Sequence, residues 1–126
     1  MKFSEYLELN YKNCDLSDIR YLNVSNKGLT DLEGIEYFVD LEDLNCGINK
    51  LTSLDVSKNI KLTDLYCDQN QLTKLDVSKN TSLESLGCYV NQLTSLDLSK
   101  NVNLRYVCCN RNQITKLIVL KNVKVE

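Results

Sequence analysis

Neither histidine nor proline occurs among the 126 residues. Without histidine the usual general base is missing, and with it the Ser-His-Asp and Cys-His pairs and the commonest metal ligand. Without proline, nothing fixes a turn except Asn, Gly and whatever regularity the chain itself supplies. A net charge of -2 and a pI of about 5.2 leave no basic excess to neutralise phosphates, so direct nucleic-acid binding is not expected. No run approaches the roughly 20 apolar residues that cross a bilayer, and no membrane partner is expected. The opening residues MKFSEYLE carry acids early and lack an apolar leader core, which argues against a signal peptide.

The charged (25%) and hydrophobic (43%) fractions are those of an ordinary globular domain, and the length suits one. The chain also has a period. Residues 51–71 (LTSLDVSKNIKLTDLYCDQNQ), 72–92 (LTKLDVSKNTSLESLGCYVNQ) and 93–113 (LTSLDLSKNVNLRYVCCNRNQ) are three copies of one unit, and ITKLIVLKN from Ile114 opens a fourth. Residues 29–50 hold the same unit with one residue more, and YLNVSNKGL (21–29) is a degenerate earlier copy.

Apolar positions fall into columns across the copies. One is Leu41, Leu62, Leu83 and Leu104; the next is Leu44, Leu65, Leu86 and Val107. Leu51, Leu72, Leu93 and Ile114 form a third, followed by Leu54, Leu75, Leu96 and Leu117, then Val56, Val77, Leu98 and Val119. Residues that recur once per coil stack at roughly the 4.7–4.9 Å strand spacing. No coil buries its apolar side alone, so stability comes from neighbours. Within a coil, LxxLxVxxN (51–59) is followed by LxxLxCxxN (62–70), two short extended segments each ending in an Asn turn. So short a return leaves no room for an α-helix, although EGIEYFVD (33–40) has the length for one helical or 3₁₀ turn.

These features predict a β-rich solenoid in a single domain over 1–126: a cap at 1–18, repeats at 19–122 and a tail at 123–126. The cap reads as a short helix, with Ser4 at its start and Phe3, Leu7 and Tyr11 on the face that covers the first coil.

The pattern LxxLxCxxNQLTxLDVSKN over residues 41–122 resembles bacterial leucine-rich repeats, in particular the 21-residue, cysteine-containing type of some internalins. LTDLEGIEYFVDLEDLN resembles the commoner 22-residue internalin unit. The resemblance covers about residues 19–122. It implies a right-handed solenoid with a parallel sheet on the LxxLxC side and extended or turn structure on the other. It further implies a scaffold for protein partners, commonly in secreted or surface-bound adhesins. This sequence shows no leader, anchor segment or appended domain, so the adhesin role stands as the alternative.

Cys46, Cys67, Cys88 and Cys109 recur every 21 residues. Such spacing suggests a metal site or a disulfide framework on one reading, and a ladder of buried thiols on the other. The ladder is favoured. Side chains in one parallel column point the same way, which suits neither tetrahedral ligation nor a disulfide, whereas a thiol packs as a small apolar group. No metal and no cofactor are expected. Six unpaired cysteines point to a reducing compartment: the cytoplasm of a bacterium or of a host cell, with secretion as the alternative. Cys108 alternates outward but has no histidine to activate it, so no catalysis is assigned there. Asn49, Asn70, Asn91 and Asn112 form one ladder, and Asn59, Asn80, Asn101 and Asn122 another. A carboxamide both donates and accepts, so each column is expected to satisfy the turns of its own coil and its neighbour.

Function then falls to the outward positions around the buried Leu and Cys. These are Tyr21, Asn23 and Ser25; Asp43, Asn45 and Gly47; Asp64, Tyr66 and Asp68; Ser85, Gly87 and Tyr89; Tyr106, Cys108 and Asn110. Four of the seven tyrosines share this face, a residue type that anchors interfaces. Acids gather toward the first coils, while Arg105 and Arg111 flank the last. The expected protein-binding set is Tyr21, Asn23, Asp43, Asn45, Asp64, Tyr66, Asp68, Tyr89, Tyr106, Asn110 and Arg111. The columns Asp55, Asp76, Asp97 and Lys58, Lys79, Lys100, Lys121 read as solvated and mutually compensating. In the last copy Ile118 and Leu120 replace Asp97 and Ser99 of the previous one; either NVKVE folds over them or a second molecule does, which points to a weak homodimer through the C-terminal coil. Taken together the residues describe a non-enzymatic interaction module. It reads as an intracellular binder or inhibitor of a larger protein, such as a phage-encoded antagonist of a host nuclease or defence system, with an adhesin or effector fragment as the alternative.

Overall fold

The computed structural model describes residues 1–121 and 123–126; the second ladder's Asn122 lies outside them. Each LxxLxC segment places one buried apolar residue at the middle of a strand only three residues long, whereas the LxxLxV segments at 51–56 and 72–77 stay extended without forming a strand. An α-helix, α1 (Phe3–Asn10), precedes β1 (Tyr21–Asn23), β2 (Asp43–Asn45), β3 (Asp64–Tyr66), β4 (Ser85–Gly87), β5 (Ser95–Asp97), β6 (Tyr106–Cys108), β7 (Lys116–Ile118) and β8 (Lys124–Val125). Single 3₁₀ turns lie at Leu16–Asp18 and at Ile35–Tyr37, the latter where the expected turn falls. The main sheet runs β1-β2-β3-β4-β6-β8, and β5 and β7 pair on the return side. All pairs are parallel. Coils therefore stack along one axis as a β-solenoid of about five turns, matching the expected fold.

Register follows the repeat. Leu44, Leu65, Leu86 and Val107 sit side by side in the sheet and are fully buried. Across β1 and β2 the step is 22 residues, from Leu22 to Leu44, which absorbs the longer copy. The Cys ladder is buried with them, and all six cysteines are free. Burial pushes the Cys46 thiol up to about 12 and holds Cys67 well above its usual value, so these sulfurs stay protonated and pack as apolar groups.

The first Asn ladder behaves as its chemistry predicts. Asn70 Nδ2 donates to the Cys46 and Cys67 carbonyls, both at 3.1 Å, while its Oδ1 accepts the Leu51 N–H at 3.0 Å. The second ladder departs from the expectation. Asn59, Asn80 and Asn101 donate to carbonyls of the preceding coil at 2.9–3.1 Å, but their buried Oδ1 atoms have no partner. On this side the turn carbonyls alone face the carboxamide, so only its donor half is used. The Asp55, Asp76 and Asp97 column is likewise more than a solvated stripe. Each carboxylate accepts the N–H of Ser57, Ser78 or Ser99 at 2.9–3.0 Å, and the serine hydroxyls hold these acids below the usual carboxylate range.

At the N-terminal end α1 closes the core. Phe3 is buried against Phe38 with ring centroids 6.0 Å apart, and Tyr11 meets Phe38 edge-on at 6.5 Å. Leu7 lies over Gly34, whose φ of 112° favours glycine and where a Cβ would stand 3.3 Å from Leu7 Cδ1. Ser4, however, does not cap the helix. Lys2 occupies the cap position without a side-chain bond, and Asp31, from the next coil, accepts the Phe3 N–H at 3.3 Å.

At the other end, the described part of the tail, residues 123–126, does not cover Ile118 and Leu120. It re-enters the main sheet as β8, with Val125 beside Val107. That is a step of 18 residues where the earlier coils take 21 or 22, so the last coil is cut short. Ile118 and Leu120 remain 38% exposed.

Candidate partner-binding face

The main sheet positions the expected residues in three columns. Tyr21, Asp43, Asp64, Ser85 and Tyr106 are register partners in sequence along the first, and Asn23, Asn45, Tyr66, Gly87 and Cys108 along the second. Ser25, Gly47, Asp68, Tyr89 and Asn110 follow the buried strand residues and form the third. Parallel pairing in constant register makes the face a grid of fixed points, with rigidity coming from the core beneath.

At its centre the grid condenses into a cluster. Gly87 was expected to face outward, yet it is buried, because the Asp68 carboxylate and the Tyr66 ring lie across it. A Cβ at Gly87 would meet Asp68 Oδ2 at 2.8 Å and Tyr66 Cδ1 at 2.9 Å. Asp68 Oδ1 accepts the Tyr89 N–H at 2.8 Å; Tyr66 Oη lies 3.1 Å from Ser85 Oγ; the Arg111 guanidinium stands over the Tyr89 ring at 6.0 Å. Gly47 is buried for a related reason: a Cβ there would lie 3.1 Å from the Asp68 carbonyl. Tyr66, Asp68, Tyr89 and Arg111 are thereby brought together, with the Tyr66 and Asp68 side chains held by hydrogen bonds.

Beside them Asp43 and Asp64 are direct cross-strand partners. Burial, and then the Asp64 charge, raise the Asp43 carboxyl above its usual range. Asp68 is also raised by burial, which outweighs the stabilising Tyr89 N–H. Asp43 and Asp68 thus hold charge in a partly desolvated setting, which a nearby cation would relieve.

The remaining positions are spread out. Tyr21 projects from the edge strand, 70% exposed. Tyr106 Oη donates to Glu126 Oε2 at 2.9 Å, which raises the phenol to about 12. Asn23 and Asn45 stand on the face, but their Oδ1 atoms are engaged in turns, accepting the Ser25 and Gly47 N–H groups at 3.0 Å. Asn110 accepts from the Cys108 thiol at 3.2 Å. Sequence reading missed Glu126, whose place depends on the shortened last coil, and it missed Gly87 as the seat of the Asp68 carboxylate. Only the bulk of the residues on either side of Gly87 hinted at the latter.

The carboxylates run in columns along the coils, and among the described residues no group of three or more Cys, Asp or Glu is placed to hold a metal ion. No helix is long and apolar enough to cross a membrane among the described residues.

A parallel solenoid with one Leu-rich strand per coil, an Asn ladder at its corner and a cysteine ladder within is an internalin-like leucine-rich repeat fold. Solved structures place it more closely. The functional domain of InlJ from Listeria monocytogenes, described as including a cysteine ladder, is 32% identical with a TM-score of 0.71; the match covers 81% of this chain and 25% of that one. Internalin C2 of the same organism matches at 20% identity and a TM-score of 0.78, over 87% of this chain and 53% of that one. A leucine-rich repeat protein of Leptospira interrogans gives 24% identity and 0.78, over 97% and 33%. The last two share the fold alone. The chain spans about a quarter to a half of the length of these structures. No family model matches the chain, and no curated protein matches it by sequence.

Proposed function

We propose that this chain is a protein-binding module, and that the Tyr66, Asp68, Tyr89 and Arg111 cluster with the adjoining Asp43 and Asp64 receives a basic segment of a larger protein. The observation that carries the reading is the cluster itself. Tyr66 and Asp68 are held by Ser85 and the Tyr89 N–H before any partner arrives, which lowers the ordering cost of binding. The tyrosines supply contact area, and the crowded carboxylates select for Arg or Lys. An inhibitor that occupies a basic nucleic-acid channel fits the same chemistry, and six free thiols suit action in a reducing cytoplasm. Asp43, Asp64 and Asp68 stand on the open face of the main sheet, so the proposal is a binder and not an enzyme.

The test is affinity capture with the parent chain and two variants, one carrying Tyr66→Ala and Tyr89→Ala, the other Lys58→Ala, Lys79→Ala and Lys100→Ala. A partner kept by the Lys variant and lost by the Tyr variant supports the reading. Loss with the Lys variant alone moves the site to the return side. Changing Asp43, Asp64 and Asp68 together to Lys is expected to abolish capture of a basic partner; unchanged capture would exclude the charge argument.

A further inference from the structure

Along the second column of the face, the turn after each strand is closed in different ways. In the first two coils the column residue is asparagine, and its side chain serves its own turn. Asn23 Oδ1 accepts the Ser25 N–H and Asn45 Oδ1 accepts the Gly47 N–H, both at 3.0 Å. Gly87 is their register counterpart further along the sheet. It has no side chain, so the Tyr89 N–H, two residues on, finds no such acceptor within its own turn. A partly buried backbone donor left without a partner costs free energy, and here the acceptor comes from the coil before. Asp68 Oδ1 takes the Tyr89 N–H at 2.8 Å, reaching across 21 residues of sequence.

The same glycine supplies the room. The three atoms nearest to a Cβ at Gly87 would be Asp68 Oδ2 at 2.8 Å, Tyr66 Cδ1 at 2.9 Å and Asp68 Oδ1 at 3.0 Å. All three belong to side chains, which can swing away. Nor does the main chain require glycine here, since only Gly28 and Gly34 have positive φ among the glycines. Gly47 is the contrasting case. The atom nearest to a Cβ there is the Asp68 carbonyl oxygen at 3.1 Å, which is main chain and fixed by coil stacking. Gly47 therefore answers to the packing of coils, whereas Gly87 answers to the two side chains laid across it.

We infer that Gly87 is the positioning residue of the binding face: by withholding the acceptor that asparagine supplies in the first two coils, it draws the Asp68 carboxylate over β4 and seats the Tyr66 ring beside it. Its use rests on the binding reading above; its geometry does not. The substitution that separates face from fold is Gly87→Asn. A carboxamide at this position closes the Tyr89 turn locally, as Asn23 and Asn45 close theirs, and its Cβ displaces Asp68 and Tyr66 into solvent. The coils stay stacked, and the face keeps all its large polar residues but loses their arrangement.

Nuclear magnetic resonance of the isotope-labelled full chain tests this. In the parent, burial holds the Asp68 carboxyl above its ordinary range, and the Tyr89 amide shift is expected to follow its titration because the two groups are bonded. In the Gly87→Asn chain the Asp68 midpoint should fall toward about 3.9, and the Tyr89 amide should no longer follow it. A second comparison does not use the titration. Asp68→Ala should lower the urea midpoint of the parent, whose Tyr89 N–H it orphans, and leave that of the Gly87→Asn chain unchanged. A Tyr89 amide that still follows Asp68 in the Gly87→Asn chain overturns the inference. So does a Gly87→Asn chain that loses its fold, since the glycine would then serve the coil and not the face. Neither measurement involves a partner, so this inference and the binding reading fail separately.

Discussion

Ile48, Gln69, Val90 and Arg111 share a backbone conformation that side-chain chemistry does not favour. Each precedes a ladder asparagine, and each has φ between 55° and 57°. A left-handed conformation costs an L-residue about 1–2 kcal/mol and is worst for β-branched types such as Ile48 and Val90. The coil imposes it because the chain must turn sharply for Asn49, Asn70, Asn91 and Asn112 to enter the core. Val90→Asn should therefore raise unfolding stability by about 1 kcal/mol, Asn being tolerant of this region; a lower denaturation midpoint would show that Val90 packing outweighs the strain. The ladder residues should differ among themselves. Asn91 accepts the Leu72 N–H and donates to the Cys67 and Cys88 carbonyls at 3.0–3.1 Å, so Asn91→Ala is expected to cost about 1–3 kcal/mol. Asn80→Ala removes two donated bonds but also an unpartnered buried oxygen, and urea unfolding should register a smaller loss. The asparagines could be read in the sequence because they recur as one residue type. The left-handed column could not, since four different side chains occupy it.

The elements are too short to be stable alone; a three-residue strand exists only through the strands beside it. Cross-strand neighbours therefore set local energetics, and the Asp43–Asp64 pair between β2 and β3 is the unfavourable case. Like charges directly opposite each other cost about 0.2–1 kcal/mol. The folded chain raises the Asp43 carboxyl above its unfolded value, so this group's contribution is fully present below pH about 3.9 and is lost as pH rises through the folded value. Asp43→Asn should thus be more stable than the parent at pH 7, with the difference vanishing near pH 3. Thermal melts at the two values check it, and a difference independent of pH would mean that the Asp43 charge, held partly out of water and beside Asp64, is not the cause. Element placement followed the columns because period 2 within a coil and period 21 between coils fix which side chains point inward. The start of α1 did not follow, because its first N–H is met by Asp31, a residue 28 positions away that no local motif announces. The course of the tail was hidden similarly: β8 joins the sheet by omitting three residues, which no column predicts.

Across the whole molecule, coils contact their neighbours and little else, so protection should vary along the axis. Central coils have a neighbour on each side, α1 covers the first, and the last has one side uncovered. Hydrogen exchange is expected to be slowest in the amides of β2, β3 and β4 and fastest in β7 and β8. Equal protection throughout would instead indicate a single cooperative unit. The fold could be read from the sequence almost whole, since repetition averages out local ambiguity. The binding face was legible as a set of outward columns, but its centre was not. The cluster exists because Gly87 leaves room for Asp68 and Tyr66, a relation between side chains of adjacent coils that strand alternation alone does not predict.

One-axis stacking also gives the molecule a mechanical polarity. Its two termini emerge at opposite ends, so tension between them pulls along the axis and loads the coils in series. Each coil occupies about 4.8 Å of that axis yet stores a contour of roughly 70 Å when drawn straight. The N-terminal end is clasped by α1 through Phe3 and Phe38, whereas the shortened last coil has a single neighbour to hold it. A stretched molecule should therefore pay out chain from its C-terminal end, in discrete lengths of one coil at a time.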